Sequence, residues 1–267
     1  MAPEIHLFGL TVYTFGLMLG LAFIAAGWLA TRRLAELGRP VDWSYEMVFS
    51  ALVGGVVGAK LWWLVEEWDS VGGDVLANLF SGVGLVWYGG LAGGALGLLA
   101  WALWRRAPLL MVADLAAPSI ALGYAVGRIG CQLAGDGDYG VPSDVPWAMA
   151  YPEGTVPTTE EVHPTPVYET LAMGAAAAGL WRLRDSLPPG GLFALYLVLA
   201  GIERFLVEFV RRNEALVLGL SLAQLTSLVM IAAGTVWLLR LRGRPSGRDV
   251  AGPRTQATGA RAVRGSR

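Results

Sequence analysis

Five cationic residues interrupt or border long apolar runs, where a charge is expensive: Lys60, Arg128, Arg204, Arg211 and Arg212. An ionised side chain inside a bilayer costs at least about 2.5 to 3.5 kcal/mol, so such residues commonly mark a functional interior. The structural alternative is an ion pair with a nearby glutamate, or snorkelling toward a helix end. We interpret Arg128 and Arg204 as functional, whereas both explanations stay open for the other three.

Arg128 stands in a glycine-rich motif, GRIGCQLAGDGDYG, at residues 127–140. Glycine permits turns and close backbone approach to a bound group, and arginine offers a planar fork of donors suited to phosphate oxygens. Asp136 and Asp138 suggest a calcium loop, but the repeated acidic ligands and the closing glutamate of an EF-hand are missing. The motif therefore predicts an anion site at a membrane surface.

Two further polar motifs follow along the chain. HPTPVYE, residues 163–169, places proline where a helix begins, which suits a simple entry turn as well as a site. In GIERFLVEFVR, residues 201–211, Arg204, Glu208 and Arg211 are four and three positions apart and so share one helical face. A charged stripe on a membrane helix is expected to face the protein interior.

The composition indicates that membrane helices position these residues. Of 267 residues, 55% are hydrophobic and only 15% are charged, which is far more apolar than a soluble domain of this length. Cys131 is the only cysteine and there are two histidines, too few for a disulfide framework, a cysteine cluster or a multi-histidine centre. We therefore expect no metal and no cofactor. The first apolar segment lacks the basic start of a cleaved signal peptide and is expected to remain as a helix.

Seven stretches approach the roughly 20 apolar residues that cross a hydrocarbon core of about 30 Å. They run approximately from Phe8 to Ala30, Met47 to Val65, Val83 to Trp104, Leu109 to Leu133, Pro166 to Trp181, Leu192 to Val210 and Leu220 to Leu239. Glycines within them allow helices to approach closely in lipid. The pattern predicts an all-α membrane protein, a bundle of seven transmembrane helices.

Positive charge alternates between the gaps, and Lys and Arg collect in cytoplasmic loops. The cation-rich gaps hold Arg32, Arg33, Arg39, Arg105, Arg106, Arg182 and Arg184, and eight more arginines follow from Arg240 onward. The other gaps are acidic. We predict an outside N-terminus, a cytoplasmic C-terminus and one transmembrane catalytic domain at 1–241, with a small outer insert at about 135–164. Residues 242–267 are predicted to be a disordered basic cytoplasmic tail near anionic lipid head groups.

The quoted motifs, together with YGGL at 88–91, DLAAP at 114–118 and SLAQ at 221–224, resemble those of the prolipoprotein diacylglyceryl transferase family. They occur in family order and span nearly the whole chain apart from the tail. The resemblance implies transfer of the sn-1,2-diacylglyceryl group from phosphatidylglycerol to the lipobox cysteine thiol of a prolipoprotein. This reaction forms a thioether, releases glycerol phosphate and is the first step of lipoprotein maturation. The resemblance also implies a multi-pass protein of the bacterial cytoplasmic (inner) membrane, with its active site toward the outer leaflet.

The implied reaction gives roles to the residues above. Arg128 and Arg204 would stabilise the phosphate leaving group, because guanidinium groups are effective electrostatic partners in a low-dielectric pocket. The attacking thiol must lose its proton, since the thiolate is the nucleophile. The family usually has a histidine before two glycines in the third segment, where this chain has Tyr88 before Gly89 and Gly90.

The identity of the base therefore stays open. Tyr88 would need neighbouring arginines to lower its pKa from near 10, and its alternative explanation is an interfacial aromatic. Asp136 and Asp138 depart from the family motif, and either would serve as base or hold an arginine in place. The substrate-binding candidates are Arg128, Arg204, Gly89, Gly90, Gly140, His163, Tyr168, Glu169, Glu208 and Arg211.

The expected partners are phosphatidylglycerol, a prolipoprotein signal peptide with its lipobox cysteine, and membrane lipids, with no nucleic acid. Tyr88 favours an alternative, a non-catalytic or altered-specificity family member that binds phospholipid or signal segments. A small-solute transporter would use the buried arginines as its substrate site, but we detect none of the internal inverted repeats that would support it.

Overall fold

The computed structural model describes residues 2–7, 10–68, 86–217 and 219–246. Within these residues it is mostly helical, and each of the seven predicted segments contains a helix. The helices are α1 (Thr14–Glu36), α2 (Trp43–Glu66), α3 (Trp87–Trp104), α4 (Leu109–Ala134), α5 (Thr165–Leu183), α6 (Gly191–Val207) and α7 (Leu222–Arg240). Parts of the predictions lie outside the described residues. These are residues 8–9 of the first segment, residues 83–85 of the third segment and residues 247–267 of the basic tail.

Four helices, α1, α2, α4 and α7, are long and apolar enough to cross a membrane, and α3 is apolar but shorter. Large apolar side chains on these helices point outward, for example Ile24 on α1, Phe49 on α2 and Val229 on α7, which are 66 to 68% exposed. Exposed apolar surface of this extent is what a lipid-facing protein presents. The chain therefore has the helices of a membrane protein.

Two small antiparallel sheets depart from the all-α prediction. Strands β1 (Glu4–Leu7) and β2 (Leu10–Tyr13) pair at the N-terminus, and β3 (Met149–Tyr151) pairs with β4 (Thr158–Val162) within the predicted insert. The predicted start of the first helix near Phe8 is wrong, since α1 begins at Thr14. Both the Thr14 backbone N–H, at 2.9 Å, and its hydroxyl, at 3.0 Å, donate to the Pro3 carbonyl, which holds the hairpin against the helix start.

Glycines bring α2 and α3 into backbone contact, which confirms the predicted close approach of helices. A Cβ on Gly58 would lie 2.3 Å from the Gly89 carbonyl oxygen, and a Cβ on Gly93 would lie 2.2 Å from the Gly54 carbonyl oxygen. Van der Waals packing between small residues drives helix association in lipid. The α2–α3 pair is therefore held by its backbone surfaces.

Charged groups tie the helix ends together at one end of the bundle. Arg33 on α1 pairs with Glu36 and with Asp185 just beyond α5, while Arg184 also bonds Glu36 at 2.8 Å. At this end, Asp114 on α4 accepts bonds from the backbone N–H groups of Gly190 and Phe193 at the start of α6. The last turn of α4, the first turn of α5 and the end of α6 consequently meet at the opposite end.

The insert, residues 135–164, is fixed on top of α4 at that opposite end. Gly135 ends the helix in the left-handed region at φ 59°, a conformation that glycine adopts without strain. The backbone N–H groups of Thr155 and Val156 donate to the carbonyls of Ala134 and Gly135, at 2.8 and 2.9 Å. The rings of Tyr139 and Tyr151 stack beneath this connection, with centroids 4.8 Å apart. The insert is thus a packed layer over the helix ends.

Candidate active site

Polar side chains from α4, α5, the end of α6 and the insert converge at one end of the bundle. Arg128 lies near the end of α4 and Glu169 in the first turns of α5, while Asp138 comes from the insert. Arg204 lies on α6, and Arg211 directly follows a short 3-10 turn at Glu208–Val210. We call Arg128, Asp138, Glu169, Arg204, Glu208 and Arg211 the arginine cluster.

Two arginines and two carboxylates alternate at the centre of the cluster. Arg128 pairs with Asp138 and Glu169, and Arg211 pairs with the same two carboxylates, its Nη1 lying 3.2 Å from Glu169 Oε1. The Glu169 side chain is 1% exposed, and the side chains of Arg128 and Arg211 are 11% and 13% exposed. Charges this far from water persist only when paired, so each member of this group requires the others.

Arg204 belongs to the same group through a second set of contacts. Its Nη1 lies 2.6 Å from Glu208 Oε2, and Glu208 also accepts bonds from the Ser221 hydroxyl and the Asn213 amide. Ser221 and Gln224 form a capping box at the start of α7. Glu169 interacts electrostatically with Arg128, Arg211 and Arg204, so both arginines that the sequence singled out act on one carboxylate.

The prediction that Arg204, Glu208 and Arg211 share one α-helical face is wrong in part. The α-helix ends at Val207 and a 3-10 turn follows, which changes the angle between successive side chains. Arg204 and Glu208 do pair, but Arg211 turns instead toward Asp138 and Glu169. Because the α-helix gives way to a 3-10 turn, Arg211 reaches Glu169 on α5 and Asp138 in the insert.

Five buried polar atoms of this region make no hydrogen bond among the described residues: Arg128 Nε and Nη2, Glu169 Oε2, Glu203 Oε1 and Arg204 Nη1. The ion pairs of Arg128 Nε with Glu169 Oε2 and of Arg204 Nη1 with Glu208 Oε2 lack the alignment of a hydrogen bond. Arg128 Nη2 and Glu203 Oε1 likewise make no hydrogen bond there, and Glu203 forms no ion pair with the described residues. A buried polar atom without a partner costs about 1 to 3 kcal/mol. Such atoms are consequently candidates for contact with a substrate.

The two aspartates of the insert differ in their electrostatic surroundings. Burial raises the pKa of Asp136, and this effect outweighs its bonds to the Cys131 thiol and to the Asp138 backbone. Burial acts the same way on Asp138, but Arg128 and Arg211 prevail and hold the pKa of Asp138 below its usual value. Ligand atoms of Cys131, Asp136 and Asp138 lie within 4.8 Å of one another, close enough for one metal ion. Since Asp138 is committed to two guanidinium groups, this set is a poor match for a cation.

His163, Tyr168 and Gly140 connect the insert to the helix ends. His163 Nδ1 lies 3.1 Å from the Tyr168 hydroxyl, which also accepts a bond of 2.7 Å from the Trp147 indole. The Gly140 backbone N–H donates to the His163 carbonyl at 2.8 Å, and Arg212 Nε donates to the Gly140 carbonyl at 2.9 Å. These three predicted residues therefore border the arginine cluster and position the insert.

Tyr88, Gly89 and Gly90 lie elsewhere, on the α2–α3 pair. A Cβ on Gly89 would lie 2.4 Å from the Gly58 carbonyl oxygen, and a Cβ on Gly90 would lie 3.6 Å from Ala59 Cβ. Close packing against α2 accounts for Gly89, whereas a Cβ on Gly90 would make only an ordinary contact, so packing does not explain Gly90. Tyr88 is 41% exposed at the start of α3. The structure thus places the predicted tyrosine base on one helix pair and the arginines on the helices α4 to α6.

Lys60 and Arg212 each lie over an aromatic ring. Lys60 is buried, with its Nζ 4.7 Å from the centroid of the Trp63 ring. Arg212 lies 5.0 Å from the centroid of the Tyr139 ring and bonds the Gly140 carbonyl. Both explanations offered from the sequence stay open for these two residues.

Sequence reasoning did not place Glu203, Tyr124, Asn213 and Ser221 in the site. Arg128 Cζ lies 5.9 Å from the centroid of the Tyr124 ring on the same helix. Glu203 interacts with Glu169, Arg204, Arg128 and Arg211. A carboxylate in an apolar run next to an arginine is a signal that was visible in the sequence, because burial of a charge is costly. Asn213 and Ser221 carry no comparable signal, since only the folded contact with Glu208 reveals them.

Comparisons with known proteins give a consistent result. A family model described as prolipoprotein diacylglyceryl transferase matches residues 3–240. The chain is 33% identical over 234 residues to a phosphatidylglycerol--prolipoprotein diacylglyceryl transferase of Clostridium tetani, which covers 86% of this chain and 93% of the relative. It is 35% identical over 251 residues to the protein of that name from Nitratidesulfovibrio vulgaris, covering 87% and 91%. It is 31% identical over 247 residues to phosphatidylglycerol--prolipoprotein diacylglyceryl transferase 2 of Clostridium perfringens, covering 90% and 95%.

Proposed function

Because this chain belongs to the prolipoprotein diacylglyceryl transferase family, we propose that it performs the transfer named for its relatives. It moves the sn-1,2-diacylglyceryl group from phosphatidylglycerol to the lipobox cysteine thiol in the signal peptide of a prolipoprotein. A thioether forms and glycerol phosphate leaves, which is the first step of lipoprotein maturation. The observation that supports this function best is the buried Nη2 of Arg128, which donates no hydrogen bond to any described residue and lies in a cluster of three arginines.

Phosphate stabilisation is the role that this cluster suits. Breaking the bond between the glyceryl carbon and the phosphate oxygen places the electron pair on that oxygen. A guanidinium donor already fixed in a low-dielectric site stabilises the developing charge without reorganising at the moment of reaction. Arg128 is held by Asp138 and Glu169, and Arg204 by Glu208, so both are fixed before the lipid binds. We assign the leaving phosphate to Arg128 and Arg204.

Asp138 and Glu169 act as positioning residues in this proposal. Each contacts both Arg128 and Arg211, so their carboxylates set the direction in which the guanidinium groups point. Glu208 does the same for Arg204. His163, Tyr168 and Gly140 hold the insert beside the lipid head group. Tyr88 and Gly90 contribute to substrate binding from the α2–α3 pair, where Gly89 packs against α2.

The membrane arrangement belongs to the proposal as well. Seven spans place the arginine cluster toward the outer leaflet of the bacterial cytoplasmic membrane, with the N-terminus outside and residues 242–267 in the cytoplasm. The charges support this arrangement, since Arg33, Arg105 and Arg184 lie at helix ends opposite the cluster and Lys and Arg favour the cytoplasmic side. An impermeant thiol reagent should label Glu161→Cys in intact cells and Arg182→Cys only after permeabilisation. Labelling of Arg182→Cys in intact cells would overturn the orientation.

The transfer is tested with purified protein in vesicles that contain phosphatidylglycerol and a synthetic lipobox peptide. The measured quantities are the mass of diacylglyceryl on the peptide and the glycerol phosphate released. Arg128→Ala and Arg204→Ala should each lower kcat by roughly 100-fold or more, the size of effect seen when one transition-state donor is removed. Arg182→Ala, an exposed arginine at the end of α5, is the matched control and should leave the rate unchanged. Unchanged turnover in both cluster variants contradicts the assigned roles.

Tyr88 favours one other function, phospholipid or signal-peptide binding without transfer. The family usually has a histidine at this position, and a tyrosine there removes a group that titrates near neutral pH. Rescue of a bacterial host that lacks its own transferase separates the two functions. Growth with the wild-type chain supports transfer, whereas binding of both substrates without rescue supports the second function.

A further inference from the structure

We propose that Glu203 accepts the proton of the substrate cysteine thiol during the transfer. This inference rests on the proposed function, and it names the base that the reaction requires. It comes from an oxygen of Glu203 that is buried and has no hydrogen-bond or ion-pair partner in the described part of the chain.

Glu203 lies on α6, next to Arg204 and about one turn before the helix ends at Val207. Its carboxylate interacts electrostatically with Glu169 on α5, with Arg128 on α4, and with Arg204 and Arg211. The other titratable groups that sense Glu203 are Tyr124 on α4 and Tyr196 on α6. Glu203 therefore shares the electrostatic environment in which the lipid phosphate is proposed to bind.

The other carboxyl groups of this region are already engaged. Asp138 and Glu169 each pair with Arg128 and Arg211. Glu208 is bound by Arg204, Ser221 and Asn213, while Asp136 accepts from the Asp138 backbone N–H at 3.3 Å and contacts the Cys131 thiol. Among the described residues of the site, Glu203 alone has a buried carboxylate oxygen outside every ion pair and hydrogen bond. That oxygen is the acceptor most available to an incoming proton.

The reaction balances with this assignment. The thiol proton passes to Glu203 Oε1, and the resulting thiolate attacks the glyceryl carbon that carries the phosphate. A sulfur–carbon bond forms, the carbon–oxygen bond breaks, and its electron pair leaves on the phosphate oxygen beside Arg128 Nη2. The proton on Glu203 then moves to the departing glycerol phosphate, which leaves as a monoanion. Glu203 returns to its ionised form, and no other reactant is needed.

Glu203→Gln tests the assignment because the amide keeps the shape of the side chain and removes the proton acceptor. With a lipobox peptide and phosphatidylglycerol vesicles, kcat should fall by about 10²- to 10⁴-fold, the usual contribution of a positioned base. Glu161→Gln removes an exposed carboxylate from the insert and should stay within about twofold of the wild type, as a peripheral control.

A peptide with selenocysteine in place of the lipobox cysteine separates proton transfer from folding. A selenol is more acidic than a thiol and ionises at neutral pH without help, so Glu203→Gln should then come within about tenfold of the wild type. Recovery of this kind also demonstrates that the variant is folded and binds both substrates. Of the roles considered for Glu203, only that of a base becomes unnecessary with the selenol peptide.

Three results would overturn the assignment. The first is a Glu203→Gln enzyme that turns over the thiol peptide as fast as the wild type, and the second is an equal loss with the thiol and selenol peptides. The third is a thiol-specific loss in Asp136→Asn instead.

If Glu203→Gln cannot be purified in folded form, Glu203→Asp replaces it. Moving the carboxylate should lower kcat by roughly 10- to 100-fold with the thiol peptide alone. Equal losses of Glu203→Asp with both peptides would then overturn the base role. A wild-type protein that transfers nothing to either peptide would instead refute the proposed function.

Discussion

Substitution of Gly140 by alanine should lower kcat/KM for transfer by roughly 100-fold without unfolding the helices. A Cβ at this position would lie 2.2 Å from the Val210 carbonyl oxygen, 2.9 Å from His163 Cβ and 3.1 Å from Thr165 Cγ2. Ordinary contacts begin at 3.4 Å. The nearest obstacle is backbone, so either the insert or the chain at Val210 must retreat by about 1 Å, and Val210 directly precedes Arg211.

The expected size of the effect follows from that displacement. Overpacking of this kind costs about 1 to 3 kcal/mol of stability, and a misplacement of about 1 Å in a catalytic arrangement costs about 100-fold in rate. Either retreat shifts Arg211 relative to Asp138, and Arg211 shares Asp138 and Glu169 with Arg128. The loss should therefore appear mainly in kcat, because the displaced guanidinium network acts on the transition state.

Gly179→Ala is the matched control for this prediction. Beyond the backbone of its own helix, no atom of the described residues lies within 4 Å of a Cβ at Gly179. The residue lies within helix α5, where alanine is preferred by roughly 0.5 to 1 kcal/mol. Its Tm should be equal to or above that of the wild type, with unchanged transfer. Transfer by Gly140→Ala within about threefold of the wild type would refute the reasoning, because the backbone would then have absorbed the methyl group without moving Arg211.

Three further predictions concern stability. Asp138→Asn should reduce the dependence of Tm on pH in the acid range, because a carboxyl group with a depressed pKa stabilises the fold above its unfolded pKa of about 3.9 and loses that contribution as the pH falls through its folded value. A pH profile of Tm identical to that of the wild type would contradict this. Ser221→Ala should lower the unfolding free energy by about 1 kcal/mol or more, measured by thermal denaturation, since it removes a helix cap and a donor to Glu208. Gly58→Ala should lower Tm by several degrees because its Cβ meets the Gly89 carbonyl at 2.3 Å, and an unchanged Tm would show that α2 and α3 separate without cost.

The helices and the arginines could be predicted from the sequence because the free energy of placing a residue in a membrane depends mainly on that residue's own type. A charge in an apolar run is expensive wherever the run folds, so Arg128 and Arg204 were identifiable without a structure. The same rule applied to Glu203, but its neighbour Arg204 offered a simple pairing. The structure pairs Arg204 with Glu208 instead, which leaves Glu203 Oε1 without a partner among the described residues.

Other features depended on the geometry between elements and were out of reach. The helix start at Thr14 rather than near Phe8 depends on bonds to the Pro3 carbonyl, and an apolar hairpin strand resembles a helix start in hydropathy. The turn of Arg211 toward Glu169 depends on a 3-10 segment, which side-chain spacing alone does not reveal. Such features arise from contacts between distant segments.

The charges of the site explain why its carboxylates matter as much as its arginines. Three guanidinium groups face five carboxyl groups, Asp136, Asp138, Glu169, Glu203 and Glu208, so the ionised group would carry a negative excess even before an anionic lipid binds. Pairing makes the arginines tolerable in a membrane interior, but it also occupies the donors that a phosphate needs. A phosphate must therefore bind through a donor that makes no hydrogen bond among the described residues, such as Arg128 Nη2, or compete with Asp138 for the others. In the proposed transfer, proton uptake by Glu203 would relieve the same excess of negative charge at the step in which the phosphate leaves, so acid–base chemistry and anion stabilisation would support each other in one site.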